Sequence, residues 1–533
     1  MSFTSTGFVL FVTLTTATYY LTPKRFRWVV LLAASYIFYA LNSTKALVYI
    51  AGTTAVSFWC AVSMSVAETT CRKRCAELDK SEREARKALK EECKRQKKRT
   101  LTGALLVCFG ILVVLKYTNF VISNIGALFL GADTGDSSAL HFSFILPLGI
   151  SFYTFQITSY LFDVYNAKYE AEKNFFHYAL YVSYFPALLQ GPISRWNDIK
   201  KELFDAEHPF SLKNTEFAVQ RILWGFLKKL VIADRAAEVV TYIFDNHADL
   251  PWYITGVGLI FYSIKLYADF SGGMDVALGV SELFGVKLAE NFRQPFFSES
   301  ISEFWRRWHI TLGTWMKDYV FYPFALSKPF AWMGKKLSKC TIKLWDGIQI
   351  SLGKAIPVGI GNLLVFFVVG VWHGAEWHFI VYGLYNGLII CLSTLCKPVF
   401  EWFAKRFPPA MQPFLKGWRV LRTFILVNIS WVFDEVTDLT QSFSMLRQLF
   451  NFGNGALIHN WRFDTFSEKT IFTVLFFCAV WLVVSILKEK GTDVRERIAL
   501  LPIPARWVLY LALVLSTPFF QAANMEGFIY AQF

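Results

Sequence analysis

Apolar runs separated by short polar breaks follow one another along the whole 533-residue chain. The runs 6–22, 28–42, 46–66, 101–117, 141–162, 252–268, 357–372, 377–396, 420–434, 470–487 and 505–520 approach the length at which a helix crosses a bilayer, roughly 17–25 residues. Segments 175–192 and 217–233 are weaker candidates. The pattern predicts an all-α, polytopic membrane protein of about 11–13 helices. Run 6–22 follows no basic stretch and precedes no small-residue cleavage site, so it reads as a retained span rather than a signal peptide.

The middle of the chain breaks this pattern. Between 141 and 325, Gly, Pro and polar residues interrupt the apolar stretches, as in Pro147-Leu148-Gly149-Ile150-Ser151-Phe152 and Gln190-Gly191-Pro192-Ile193. Broken backbone at membrane depth is tolerated only where protein or a water-filled cavity covers it. Broken and re-entrant helices lining a central cavity are therefore expected, within one membrane domain covering 1–533. No internal repeat is visible, which weighs against a transporter built from related halves. Segment 301–319 has Ile301, Phe304, Trp305, Trp308, Leu312, Trp315 and Tyr319 at helical spacing, with Arg306, Arg307, Lys317 and Asp318 opposite. It is too polar to span and is expected to lie along the interface or to dip part-way in.

Composition sharpens the reading: 54% of residues are hydrophobic and 18% charged, against about a quarter charged in soluble domains. The net charge of +14 is concentrated in the one long hydrophilic insert, 67–100, which runs from Arg72, Lys73 and Arg74 to the cluster Lys94–Arg99. The positive-inside rule places this insert in the cytoplasm, and counting back three spans puts Lys24, Arg25 and Arg27 inside and the N-terminus outside. Anionic lipid headgroups account for the basicity, so nucleic acid is not an expected partner. Opposite charges at i,i+4, such as Glu82–Arg86 and Glu91–Arg95, give the insert the pattern of a solvated helical hairpin. Of nine cysteines, Cys71, Cys75 and Cys93 lie in the insert and most others in spans, so no disulfide framework is expected. Cys71 and Cys75 lack a second ligand pair for zinc; juxtamembrane palmitoylation is compatible with their position but not required by it.

Two histidines carry the candidate chemistry. An ionisable side chain at membrane depth is costly and marks a functional site by default. His373 ends the apolar stretch Phe366–Trp372 and precedes Gly374, which allows a bend or a close approach. Trp372 and Trp377 give it an apolar wall that favours neutral imidazole, ready to accept a proton. Glu376 either orients it or caps the following helix, and His378 is expected to face elsewhere. His309 shares the apolar face of 301–319 and, on its own, reads first as a core histidine.

Four ordered motifs then raise a resemblance: Tyr267-Ala268-Asp269-Phe270-Ser271-Gly272-Gly273-Met274-Asp275, Glu290-Asn291-Phe292-Arg293-Gln294-Pro295, Phe304–Leu312, and Trp372-His373-Gly374-Ala375. Together they resemble the membrane-bound O-acyltransferase family, and within it the bacterial alginate O-acetylation branch. Pro147–Tyr165 and Phe185–Arg195 extend the likeness to most of the chain outside 67–100. The resemblance implies that His373 is the active-site histidine and His309 the second motif histidine. It implies that an acyl group, acetyl foremost, passes from cytoplasmic acyl-CoA to an acceptor outside. It further implies substrate contacts from Asp269, Asn291, Trp305, Arg306, Arg307 and Trp372, with no bound cofactor or metal. An extracytoplasmic esterase-like transferase and, through it, a polysaccharide acceptor are the implied partners, alongside membrane lipids. The location implied is the bacterial inner membrane.

The branch usually carries an aromatic-Phe-Arg-Ala run after its late tryptophan, whereas here Trp431-Val432-Phe433 leads into Asp434-Glu435; the insert is also longer than expected. The last six residues, Phe528-Ile529-Tyr530-Ala531-Gln532-Phe533, belong to a tail, 521–533, expected outside the membrane. Tyr and Phe there fit an interfacial anchor. They also resemble the Phe-x-Tyr-x-x-Phe ending of polysaccharide acylation systems, which makes Tyr530 a candidate acyl carrier. D-alanyl transfer to teichoic acid is an alternative within the family. A transporter with histidine proton relays is the alternative outside it.

Overall fold

The computed structural model describes residues 3–130, 142–144, 146–188, 190–453, 468–522 and 527–528. Helices dominate it, and the only strands among the described residues are the short antiparallel pair Thr341–Lys343 and Gln349–Ser351. Among the described residues, six helices are long and apolar enough to cross a membrane: Leu47–Glu77, Arg83–Phe129, Leu352–His373, Trp377–Arg406, Lys469–Glu489 and Ile503–Phe520. Their outward faces are rich in exposed large apolar side chains, among them Leu106, Phe472, Leu482, Trp507 and Val508. Contiguous apolar surface of this kind is what lipid covers. The chain is an all-α, multi-pass membrane protein.

The other apolar runs lie in shorter or more polar helices. Thr6–Leu21 and Arg27–Asn42 have 16 residues each. Run 252–268 begins a 32-residue helix, Trp252–Leu283, that carries Lys265, Asp269 and Asp275. The weak candidates break up. Segment 175–192 becomes Phe175–Ser183 and the single turn Phe185–Leu188, and segment 217–233 passes from α-helix into a π-helical stretch, Leu227–Ala233.

The chain packs as two compact units, one of Met1–Val219 with Ala277–Ala289, the other of Gln220–Val276 with Glu290–Phe533. In the first, the insert is a helical hairpin. The helix from Leu47 continues to Glu77, and the next runs unbroken from Arg83 to Leu130. Glu68 ties the hairpin's base, bridging Arg72 at 2.8 Å and the buried Lys97 at 2.6 Å. The first unit's core is aromatic: Tyr160, Tyr178, Tyr181 and Trp196 pack ring on ring.

In the second unit, two helix pairs position the chemistry. Leu352–His373 and Trp377–Arg406 touch backbone to backbone, because a Cβ on Gly383 would lie 2.2 Å from the Phe366 carbonyl oxygen. Leu212–Phe226 crosses Trp252–Leu283 as closely at Gly225 and Gly272, where either Cβ would come within 3 Å of the other residue's carbonyl oxygen. Small residues that let backbones approach are the usual means of helix association in lipid.

Candidate active site

Segment 301–319 departs from the expected single amphipathic helix. It forms two short helices, Ile301–Arg307 and Ile310–Met316, followed by a π-helical turn, Lys317–Phe321. Ser300 caps the first, accepting from the Glu303 amide at 3.2 Å. The break falls at Trp308-His309, and His309 takes a left-handed conformation, φ 45° and ψ 53°. That region is unfavourable for any residue with a Cβ and persists only where surroundings enforce it. Here they do: the Arg293 amide donates to the Arg307 carbonyl at 2.9 Å, and the Ile310 amide to the Asn291 carbonyl at 3.0 Å. The break turns the His309 ring out of helical register and into the unit's interior, 2% exposed.

Asn291, fully buried, fixes that ring. Its Oδ1 accepts from both the amide and the hydroxyl of Thr311 at 2.9 Å. With the oxygen occupied by two donors, the side-chain NH₂ faces His309 and donates to Nδ1 at 3.1 Å. Nδ1 lies 3.3 Å from Oδ1 as well, but the nearer contact is to the NH₂, and that contact assigns the proton of neutral His309 to Nε2.

His373 ends the helix Leu352–His373 and is half-buried. Its imidazole and that of His309 are close enough for the charge of one to act on the other. The Trp372 ring lies against both, 6.0 Å from His309 and 5.1 Å from His373 between centroids. Phe270 stands edge-on to His309 at 4.9 Å, and Tyr382 edge-on to His373 at 5.6 Å. Trp431 stacks on Tyr382 and packs against Trp308, extending the aromatic wall. Its buried indole N–H meets no acceptor among the described residues.

Gly374 is extended, not left-handed, and its missing side chain has a packing cause: a Cβ there would sit 2.1 Å from the Phe379 ring. Glu376 neither caps the next helix through its side chain nor reaches His373; its carboxylate meets His378 Nε2 at 3.0 Å. His378 Nδ1 pairs with the Phe433 carbonyl at 2.8 Å, so this histidine joins two helices.

The remaining candidates divide. Trp305 borders the site, its indole donating to Asn386 Oδ1 at 3.2 Å and its ring 6.2 Å from Tyr382. Arg306 is exposed, and Arg307 is bound to Glu303 and Glu489, each at 2.8 Å. The Asp269 carboxylate is bound by Lys229. Tyr530 lies outside the described residues. Asp434 and Glu435, where the family pattern has arginine, pair with the Tyr262 hydroxyl and Lys265 at 2.9 Å.

Sequence reasoning missed Tyr382, Trp431 and Lys229. For Lys229 there was a signal, since Lys228-Lys229 lies in apolar run 217–233 and buried cations need buried anions. Asp269 and Asp275, in a neighbouring motif, supply them: Lys229 is paired with Asp269, and Lys228 with Asp275 at 2.6 Å, Lys228 also donating to the Ser271 hydroxyl at 2.8 Å.

The second unit thus brings two histidine rings, His309 and His373, against the same tryptophan, Trp372. The model of the membrane-bound O-acyltransferase family matches residues 171–335. The chain is 30% identical over 461 residues to the probable alginate O-acetylase AlgI of Pseudomonas putida, covering 86% of this chain and 82% of that protein. It is 28% identical to the peptidoglycan O-acetyltransferase of Helicobacter pylori (67% and 65% covered) and 29% identical to the teichoic acid D-alanyltransferase of Bacillus subtilis (58% and 78%). The chain belongs to the membrane-bound O-acyltransferase family and is a multi-pass membrane acyltransferase.

Proposed function

We propose that this enzyme takes an acetyl group from acyl-CoA on the cytoplasmic side of the bacterial inner membrane and delivers it outward for O-acetylation of a polysaccharide. The observation that carries the reading is the imidazole pair, His309 with Nδ1 against the Asn291 side-chain amide and His373 beside it under the same tryptophan. A thioester is attacked by a hydroxyl only when a base removes the hydroxyl proton, and a neutral histidine in hydrogen-bond reach does this. His373 is the base. His309, whose Nε2–H is fixed by Asn291, is the donor toward the thioester carbonyl or the departing sulfur. In balance, the acyl C–S bond breaks, a C–O bond forms, and the hydroxyl proton leaves with the CoA thiol.

The acceptor hydroxyl in this reading is Tyr530. A phenol, with a pKa near 10, needs the base to attack, and its ester is a good donor because phenoxide is a better leaving group than alkoxide. An extracytoplasmic esterase-like transferase then moves acetyl to the sugar. The N-terminus lies outside and the basic hairpin inside. Acetyl to an acetylated polymer is preferred over D-alanine because the alginate O-acetylase likeness spans 86% of the chain and the D-alanyltransferase likeness 58%.

Purified protein given acetyl-CoA should release free CoA thiol, and His373→Ala should lower that rate about 10²–10⁴-fold with thermal stability kept. Wild-type release by a folded His373→Ala protein would remove the assignment. Absence of thiol release from wild type, with proton-coupled flux in vesicles, would favour a transporter.

A further inference from the structure

Asp269 and Phe270 are neighbours on one helix and point to different tasks. The Phe270 ring stands against His309, whereas the Asp269 carboxylate is bound by Lys229 in the π-helical stretch. Lys229 also pairs with Asp234 at 2.9 Å, and all three side chains are no more than 3% exposed. An ammonium has three protons to donate. Asp269 and Asp234 take two, and the carbonyl of Gly527, near the C-terminus, takes the third at 3.0 Å. The Phe528 ring lies 5.2 Å from the same ammonium and is 3% exposed. Upstream, the Ala522 amide donates to the Leu230 carbonyl at 3.2 Å, and Arg235 donates to the carbonyls of Phe520 and Gln521 at 2.5 and 3.0 Å. Phe520, Gln521, Ala522, Gly527 and Phe528 are thus held by Leu230, Arg235 and Lys229.

We infer that Lys229 is a positioning residue for acyl transfer, a latch that uses its third proton to fix Gly527–Phe528 beside the helix that bears Phe270. Release of the tail would strand a proton of a buried cation, so the latch favours the docked state. From Phe528, an extended chain advances at most about 3.3–3.6 Å per residue, so Tyr530 starts within two residues of a fixed point. The inference rests on the carrier reading above and specifies how the carrier is held.

The test uses the tail side of the contact, which leaves the Lys229–Asp269–Asp234 cluster in place. Hydrogen exchange of 519–528 and steady-state kinetics are measured on full-length protein for Phe528→Ala, Phe528→Leu and Phe528→Trp, with Tyr530→Phe in parallel. In Phe528→Ala, exchange should speed up at least tenfold and kcat should fall at least tenfold, with KM for acetyl-CoA unchanged. Phe528→Leu, which keeps apolar burial but no ring over the ammonium, should show part of both effects. Phe528→Trp should restore both, which loss of packing elsewhere would not do. Wild-type exchange and kcat in the Ala and Leu variants, with Tyr530→Phe inactive, would overturn the latch and leave the carrier reading standing. Full activity of Tyr530→Phe would overturn the carrier reading and the positioning role with it.

Discussion

Asn291 decides which nitrogen of His309 holds the proton, and with it the role that ring can play. Thr311 occupies the amide oxygen twice, so the ring sees a donor at Nδ1. Asn291→Asp keeps the acceptor for Thr311 but offers His309 an oxygen, which calls for a proton on Nδ1 and takes it from Nε2. Turnover should fall about 10²-fold or more, the scale of losing one positioned proton donor, while folding survives. Thiol release at saturating acetyl-CoA measures it, and an unchanged rate would show that the tautomer does not matter. At this scale the sequence was readable where chemistry is local: Trp372-His373-Gly374 is contiguous, and a histidine in an apolar stretch draws attention. It was not readable where partners are distant. Nothing near Asp269 in the chain indicates that its carboxylate belongs to Lys229, 40 residues earlier.

Elements place these residues through close backbone contact. The tight turn after His373 exists because Gly374 yields its side-chain space to Phe379, and the helices beyond cross at Gly370 and Gly383. Gly383→Ala puts a Cβ 2.2 Å from a backbone oxygen, which cannot rotate away as a side chain could. The helices must separate, at a cost of about 1–3 kcal/mol for overpacking. A lowered thermal midpoint is expected, and a larger fall in kcat than in KM effects, since His373 moves with its helix end. A variant as stable and active as wild type would mean the pair tolerates the shift. Helical periodicity showed these helices plainly, because apolar length is a property of one segment. The same periodicity predicted 301–319 as one helix and missed the break at His309, which comes from pairing of 291–293 with 307–310. Tertiary hydrogen bonds of this kind overrule local pattern.

At the scale of the whole molecule, both low hydrophobicity and concentrated charge distinguish the hairpin from the spans. Its polar contacts close on themselves: Glu68 with Arg72 and Lys97, the Cys93 thiol to the Ala67 carbonyl, and the Arg86 guanidinium to the Leu78 carbonyl. Lys97 reaches past it to the Tyr165 ring at 5.4 Å, and cation–π pairs at such sites are worth about 0.5–2 kcal/mol. The hairpin thus contributes little to the rest of its unit. Removing 72–99 leaves two antiparallel helix ends about 8–10 Å apart if they keep ordinary packing distance, a gap that a linker of four or five residues spans. Nothing in the deleted segment belongs to the second unit, where both imidazoles lie. The shortened protein should therefore fold, with a thermal midpoint lowered by a few degrees at most, and should release CoA thiol within about threefold of the wild-type rate, consistent with loss of surface contacts alone. A folded, monodisperse deletion protein with no thiol release would show instead that the basic hairpin takes part in donor capture, and the anionic CoA phosphates would then be the first ligand to test against it.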